Sequence, residues 1–200
     1  MATRREFLEA AAISALPAIA GARQCVDGKR ALAALAIAPR IVLIDPRFAE
    51  ARTIGACMAA RGAAVHATAE GDVTQVWLKQ VGPAWRHQPV TVAGITARPA
   101  LFCLEQFALS CGLRVVFHGE HVVHQEGRTE HQLLRGPDPR RLAAHDLALS
   151  GRFWPALIAE TLATYPWQSG HARFGRSDAA LSPALPPDAH LLTSWIIAAA

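Results

Sequence analysis

The chain has 200 residues, of which 52% are hydrophobic and 18% charged, with 14 Gly and 13 Pro. That balance fits one globular domain and excludes a disordered tail, a collagen-like chain or a coiled coil, and at this length no second large domain is expected. The net charge of +4 comes from scattered arginines, with Lys only at Lys29 and Lys79, whereas a nucleic-acid surface gathers its basic residues in a stripe among aromatics, so no nucleic-acid partner is expected.

Residues 1–22, MATRREFLEAAAISALPAIAGA, place a basic pair before a short Ala-rich run and end on the small residues Ala20, Gly21 and Ala22. This is the layout of a cleavable export signal. The apolar run falls short of the roughly 18 residues that span a bilayer, so no permanent membrane anchor is expected. Within it, Thr3-Arg4-Arg5-Glu6-Phe7-Leu8 resembles the twin-arginine translocation signal, in which a polar residue precedes two arginines, any residue, and Phe-Leu; Glu9 stands where a lysine is often found. The resemblance covers only this segment, with Arg4, Arg5, Phe7 and Leu8 as its signal residues. It implies a bacterial protein, exported already folded by the twin-arginine machinery to a periplasmic or secreted location. Residues 23–39 read as a linker or N-terminal helix, and residues 40–200 as a single α/β domain.

The cysteines, Cys25, Cys57, Cys103 and Cys111, form no CxxC and no zinc spacing. Cys103 and Cys111 on one helix would lie roughly 12 Å apart, too far to pair. Buried free thiols are expected, with a bridge from Cys25 or Cys57 to one of the other two as the alternative.

In chain order, residues 41–44 (IVLI) are a short run of buried-strand character ending at Asp45-Pro46. Phe48, Ala51, Ile54, Gly55 and Met58 then follow helical spacing to a cap at Gly62. Residues 64–67 are a second strand. Asp72 is placed to cap a helix carrying Val73, Val76, Trp77 and Val81, ended by Gly82-Pro83. Residues 90–95 are a third strand, and Pro99 sits early in a helix running through Leu101, Leu104, Phe107 and Ala108 to Gly112. Residues 113–117 are a fourth strand. Strands and helices alternating at this spacing predict parallel βαβ units in a three-layer sandwich, with a mostly parallel sheet in the order 2-1-3-4.

Beyond residue 117 the pattern changes. HGEHVVHQEGRTEHQLLRG predicts an antiparallel hairpin at one sheet edge, turning at Glu126-Gly127. Asp138-Pro139 opens a helix that Ser150-Gly151 interrupts; it resumes over residues 153–163 and closes at Tyr165-Pro166. Residues 168–190 read as a surface excursion, and residues 191–197 as a last strand or docked tail.

Two groups of residues could carry chemistry. In an open parallel sheet, ligands sit beyond the carboxyl ends of the strands where strand order reverses. Asp45 and Arg47 follow the first strand, Thr96 and Arg98 the third, and the N-terminus of the following helix adds anion-attracting amides. These four residues are a candidate site for a small anionic ligand. The plain alternative is that they only terminate their elements. Asp45-Pro46-Arg47 stands where a dinucleotide fold has glycines, so no dinucleotide is expected. G-x-S-x-G, H-E-x-x-H and the P-loop are also absent from the chain.

The second group is His118, Glu120, His121, His124 and His131, a candidate ligand set for zinc, copper or iron. Register decides which of them meet. A two-residue turn sets His131 diagonal to Glu120 and His124, whereas a type I turn with a glycine bulge sets it opposite His121. The plain alternative is a polar strand edge. The export signal and missing catalytic signatures favour a binding or accessory protein for a small ligand or another exported factor. The alternative is a metal-dependent hydrolytic enzyme built on the histidines with Asp45 or Glu120 as base, and a thiol enzyme using Cys103 or Cys111 ranks last.

Overall fold

A computed structural model of the chain describes residues 39–88, 90–135, 142–164, 185 and 187–199. The export-signal segment, the Asp138-Pro139 helix start, the Tyr165-Pro166 closure and most of the expected excursion at 168–190 lie outside the described residues.

The fold is α/β, with one mixed six-stranded sheet. Its strands are β1 (Ile41–Ile44), β2 (Ala64–Ala67), β3 (Val92–Thr96), β4 (Leu113–His124), β5 (Thr129–Arg135) and β6 (Ala189–Ala199). Helix α1 (Ala49–Ala59) follows β1, and α3 (Arg98–Ser110) follows β3. Between β2 and β3 runs α2, made of Thr74–Val76, a π-turn at Trp77–Val81 and Gly82–His87. After β5 come α4 (Ala144–Leu149), a 3-10 turn at Gly151–Phe153 and α5 (Trp154–Thr164).

Helices cover both faces. On one, α1, α4 and α5 pack on Val42, Ala93, Ile95, Phe117, Leu192 and Ile196 through Ile54, Met58, Leu147, Trp154, Ile158 and Leu162. On the other, α2 and α3 pack on Leu43, Val92, Trp195 and Ile197 through Val76, Val81, Trp85, Leu101 and Leu104. Strands β1 and β3 and the second half of β6 are buried on both sides, which is why they read as largely apolar runs.

The strand order corrects the expected 2-1-3-4. It is β2-β1-β3-β6-β4-β5. Strands β1, β2 and β3 are parallel neighbours, but β6 lies between β3 and β4 and is antiparallel to both. The segment expected as a last strand or tail is therefore a central strand. Its composition explains the position: Leu192, Thr193, Ser194, Trp195, Ile196 and Ile197 are all fully buried, and a strand apolar on both faces belongs inside a sheet.

The helix expected to stop at Gly82-Pro83 continues to His87. The Gly82 amide reaches the Trp77 carbonyl five residues back, and a side chain on Gly82 would stand 2.9 Å from that oxygen. The wider π-turn delivers Pro83 to the first turn of a new helical segment, where its missing N–H costs nothing.

The fourth strand and the first hairpin arm are one element. Pairing of β4 with β6 slips between Val115 and Phe117, leaving Val116 as a bulge. The bulge reverses alternation, so Val115 faces α2 and α3 while Phe117 faces α5. At the hairpin, Gly127 has φ +80° and its amide bonds the His124 carbonyl at 2.9 Å. The His124 amide bonds the Arg128 carbonyl at 2.9 Å. This is the turn with a glycine bulge, and it sets His121 opposite His131.

Cys57 is buried and disulfide-bonded. Cys103 and Cys111 are free, the first exposed and the second half-buried, which corrects both the expectation of buried free thiols and the alternative of a bridge to one of this pair. No helix among the described residues is long and apolar enough to cross a membrane.

Candidate functional site

Following the ladders outward to the carboxyl ends of β1 and β3 gives a row of polar residues. Ile44 pairs with Ile95 and Ala67, and one more residue along, the Asp45 amide bonds the Ile95 carbonyl at 3.1 Å and the Thr68 amide bonds the Ile44 carbonyl at 2.9 Å. Asp45 thus lies between Thr68 and Thr96. Thr96 pairs with Thr193, Thr193 with Glu120, and Glu120 with Gln132. The row Thr68, Asp45, Thr96, Thr193, Glu120, Gln132 takes one residue from each of β3 to β6 and the residue just past the end of β2 and of β1. All six are buried.

The row lies on the α2 and α3 side, because side chains two apart on a strand share a face. Asp45 is two residues from Leu43, and Thr193 two from Trp195, both in that core. Gly94 makes room for the indole: a side chain there would stand 2.4 Å from Trp195 Cζ2 and 2.7 Å from the Leu43 carbonyl. The Trp195 Nε1–H in turn donates to Thr96 Oγ1 at 3.1 Å.

Asp45, Arg47, Thr96 and Arg98 therefore do gather at one rim, but the two arginines differ. Arg47 folds back on Asp45, with Nε donating to Oδ1 at 2.9 Å and Nη2 to Oδ2 at 2.6 Å. Its backbone amide also reaches Oδ1, at 3.2 Å. The side-chain bonds to Asp45, more than the charges of Asp45 and Glu70, raise the guanidinium above its ordinary value and commit it to Asp45. The same Nη2 lies 2.8 Å from where a side chain on Gly71 would begin. Gly71 has φ +88°, and this close approach seats Arg47 against the loop after β2. Arg98, the first residue of α3, is 66% exposed, and its Nε lies 3.6 Å from Glu120 Oε1, close enough for attraction and too far for a hydrogen bond.

Four side-chain atoms on this face, Thr68 Oγ1, Thr193 Oγ1, Glu120 Oε1 and His118 Nε2, are buried and make no hydrogen bond among the described residues. The last two lie 3.7 Å apart. Burial first, and then Arg98 and Arg135, lower His118 to about 4, so its ring is neutral at physiological pH. Further out, His124 Nε2 and Arg128 Nη1 both reach Glu130 Oε1, at 3.0 and 2.8 Å.

The other two histidines of the expected cluster point through the opposite face. His121 Nε2 lies 2.7 Å from Ser194 Oγ, and His121 Nδ1 lies 2.8 Å from His131 Nδ1. Trp154 stacks on His121 with centroids 4.6 Å apart and meets the His131 ring edge-on at 5.2 Å. Burial, and then the neighbouring His131 and His118, hold His121 well below its ordinary value. Burial alone lowers His131 to about 4. Both rings are neutral, so a single proton lies between the two Nδ1 atoms and the serine hydroxyl completes the chain. Gly119 makes the approach possible, since a side chain there would stand 2.8 Å from Ser194 Oγ and 3.3 Å from His121 Cε1.

The order hydroxyl, imidazole, imidazole is that of a nucleophile with its base and orienting group. The setting is that of a core. Ser194 is fully buried mid-strand between β3 and β4, where backbone amides are committed to ladders rather than turned toward an oxyanion. The sheet thus divides the candidate metal set, with His118, Glu120 and His124 on one face and His121 and His131 on the other. Among the described residues, no group of three or more His, Cys, Asp or Glu is arranged to hold a metal ion.

Thr193, Ser194, Thr68, Gln132 and Trp154 were not anticipated from the sequence. One signal could have found the first two: Thr193-Ser194 is the only polar pair in the apolar run of residues 191–197, and adjacent strand residues point to opposite faces. The pair therefore marks both polar clusters at once. In comparisons with known proteins, no family model, no curated protein and no solved structure matches the chain.

Proposed function

We propose that this chain is a binding or accessory domain, exported by the twin-arginine route, that holds a small polar ligand at the rim where β1, β3 and β6 meet the start of α3. The observation that carries this reading is the set of buried atoms that make no hydrogen bond among the described residues, Thr193 Oγ1, Glu120 Oε1 and His118 Nε2, beside the exposed Arg98. A buried polar atom without a partner costs about 1–3 kcal/mol, and buried polar atoms are nearly always satisfied by protein or solvent. Several such atoms on β4 and β6, with Thr193 and Glu120 level with the carboxyl end of β3, where α/β sheets bind ligands, favour a site completed from outside the chain. The twin-arginine motif supports export, and the disulfide at Cys57 fits an oxidising compartment.

Native mass spectrometry of the full chain, expressed with its own N-terminus and recovered from the periplasm, tests the reading. It should carry a bound small molecule that is lost in Arg98→Ala and Glu120→Gln. Recovery of bare protein would count against the ligand, stoichiometric zinc, copper or iron would favour the metal-enzyme alternative, and export unaffected by Arg4→Lys with Arg5→Lys would count against the route.

A further inference from the structure

The rim has charges of both signs within one small space, and that narrows its ligand. Glu120 is buried to all but 8% of its side chain, and its Oε1, which makes no hydrogen bond among the described residues, lies 3.6 Å from Nε of Arg98, the first residue of α3. The hydroxyl of Thr193, opposite Glu120 in the β4–β6 ladder, is likewise buried and without a hydrogen bond among the described residues. These two oxygens can accept from a cation. Beside them lie the Arg98 guanidinium and the N-terminus of a 13-residue helix whose N-cap residue, Ala97, has no capping side chain. Those groups attract an anion. His118, neutral and within 3.7 Å of Glu120 Oε1, adds a hydrogen-bonding nitrogen but no charge.

A simple anion would meet the Glu120 carboxylate. A simple cation would leave Arg98 unanswered, and Arg47 cannot help either kind of ion because Asp45 holds it. A ligand with an ammonium and a carboxylate joined through one carbon, which lie roughly 3 Å apart, matches the 3.6 Å between Glu120 and Arg98. Resting on the rim reading above, we infer that the ligand is an α-amino acid, its ammonium on Glu120 Oε1 and Thr193 Oγ1 and its carboxylate on the Arg98 guanidinium at the start of α3. This replaces the small anionic ligand expected from the sequence.

The test is isothermal titration of the purified full chain against glycine and the other proteinogenic amino acids. Each one that binds is compared with its decarboxylated amine and its N-acetyl derivative, and inorganic phosphate and glycerol are titrated alongside. At least one amino acid should bind, and losing either charge should weaken it tenfold or more. Arg98→Ala, at an exposed position and checked for native circular dichroism, should weaken the amino acid at least tenfold and leave its amine almost unchanged. Glu120→Gln, checked for native circular dichroism, should do the reverse for the N-acetyl derivative. If the amine or the N-acetyl form binds as well as the parent, or if phosphate or glycerol binds and no amino acid does, the zwitterion is wrong and the rim site stands. If nothing in the panel binds, and protein recovered from the periplasm carries nothing either, both fall.

Discussion

Thr193 and Ser194 are neighbours on one central strand, both fully buried, and they have opposite fates. Ser194 points toward α5 and joins a closed chain with His121 and His131 under the Trp154 ring. Thr193 points toward α3, and its hydroxyl, like the nearby Glu120 Oε1 and His118 Nε2, makes no hydrogen bond among the described residues. Low dielectric strengthens a satisfied network and penalises an unsatisfied one. Two polar clusters of similar composition, back to back on the same strands, therefore divide into a structural element and a candidate binding site.

The comparison breaks first at Trp154. If the Ser194 side is structural, Trp154→Ala removes the ring that covers both imidazoles and should cost about 3–5 kcal/mol in urea denaturation. A loss below about 1 kcal/mol would mean that this cluster is not held by packing. Smaller in effect, and present on both faces, is the response to acid. His131 and His118 each fall from the ordinary 6.5 to about 4 in the folded chain, mainly through burial. The unfolded chain binds these protons more readily, so their contribution is complete above pH 6.5 and is lost as pH falls toward 4. Each is worth on the order of 3 kcal/mol when fully lost. Denaturation midpoints across that window should fall with pH, and His131→Leu and His118→Leu should each remove part of the slope. A flat profile in the unmodified protein would show that the rings are not neutral by burial.

The rim was partly legible in the sequence because it follows from strand ends. A short apolar run ending at Asp45 and another ending at Thr96 specify two parallel strands and where they stop, and the start of α3 then places Arg98. Two features were not legible. The first is the insertion of β6: local pattern offers a last strand or docked tail at residues 191–197 but not the gap it fills, since that depends on contacts between residues nearly a hundred positions apart, such as Trp195 with Thr96. The second is the bulge at Val116, which reverses every later side chain of β4. Counting alternation straight through from Leu113 would turn His121 toward α3 and Glu120 toward α5, the opposite of what is observed. The hairpin was intermediate, because Glu126-Gly127 announced a turn while leaving two registers open, and only pairing across the strands selects the one that joins His121 to His131.

The most direct test compares two single substitutions by urea denaturation of ligand-free, dialysed protein. Ser194→Ala breaks a satisfied chain and should cost about 1–2 kcal/mol, whereas Thr193→Val removes an unpaired hydroxyl at nearly constant shape and should leave stability unchanged or raise it by up to about 1 kcal/mol. Equal losses in the two variants would contradict the account, because the Thr193 hydroxyl would then be as well satisfied as its neighbour and the rim would be ordinary structure.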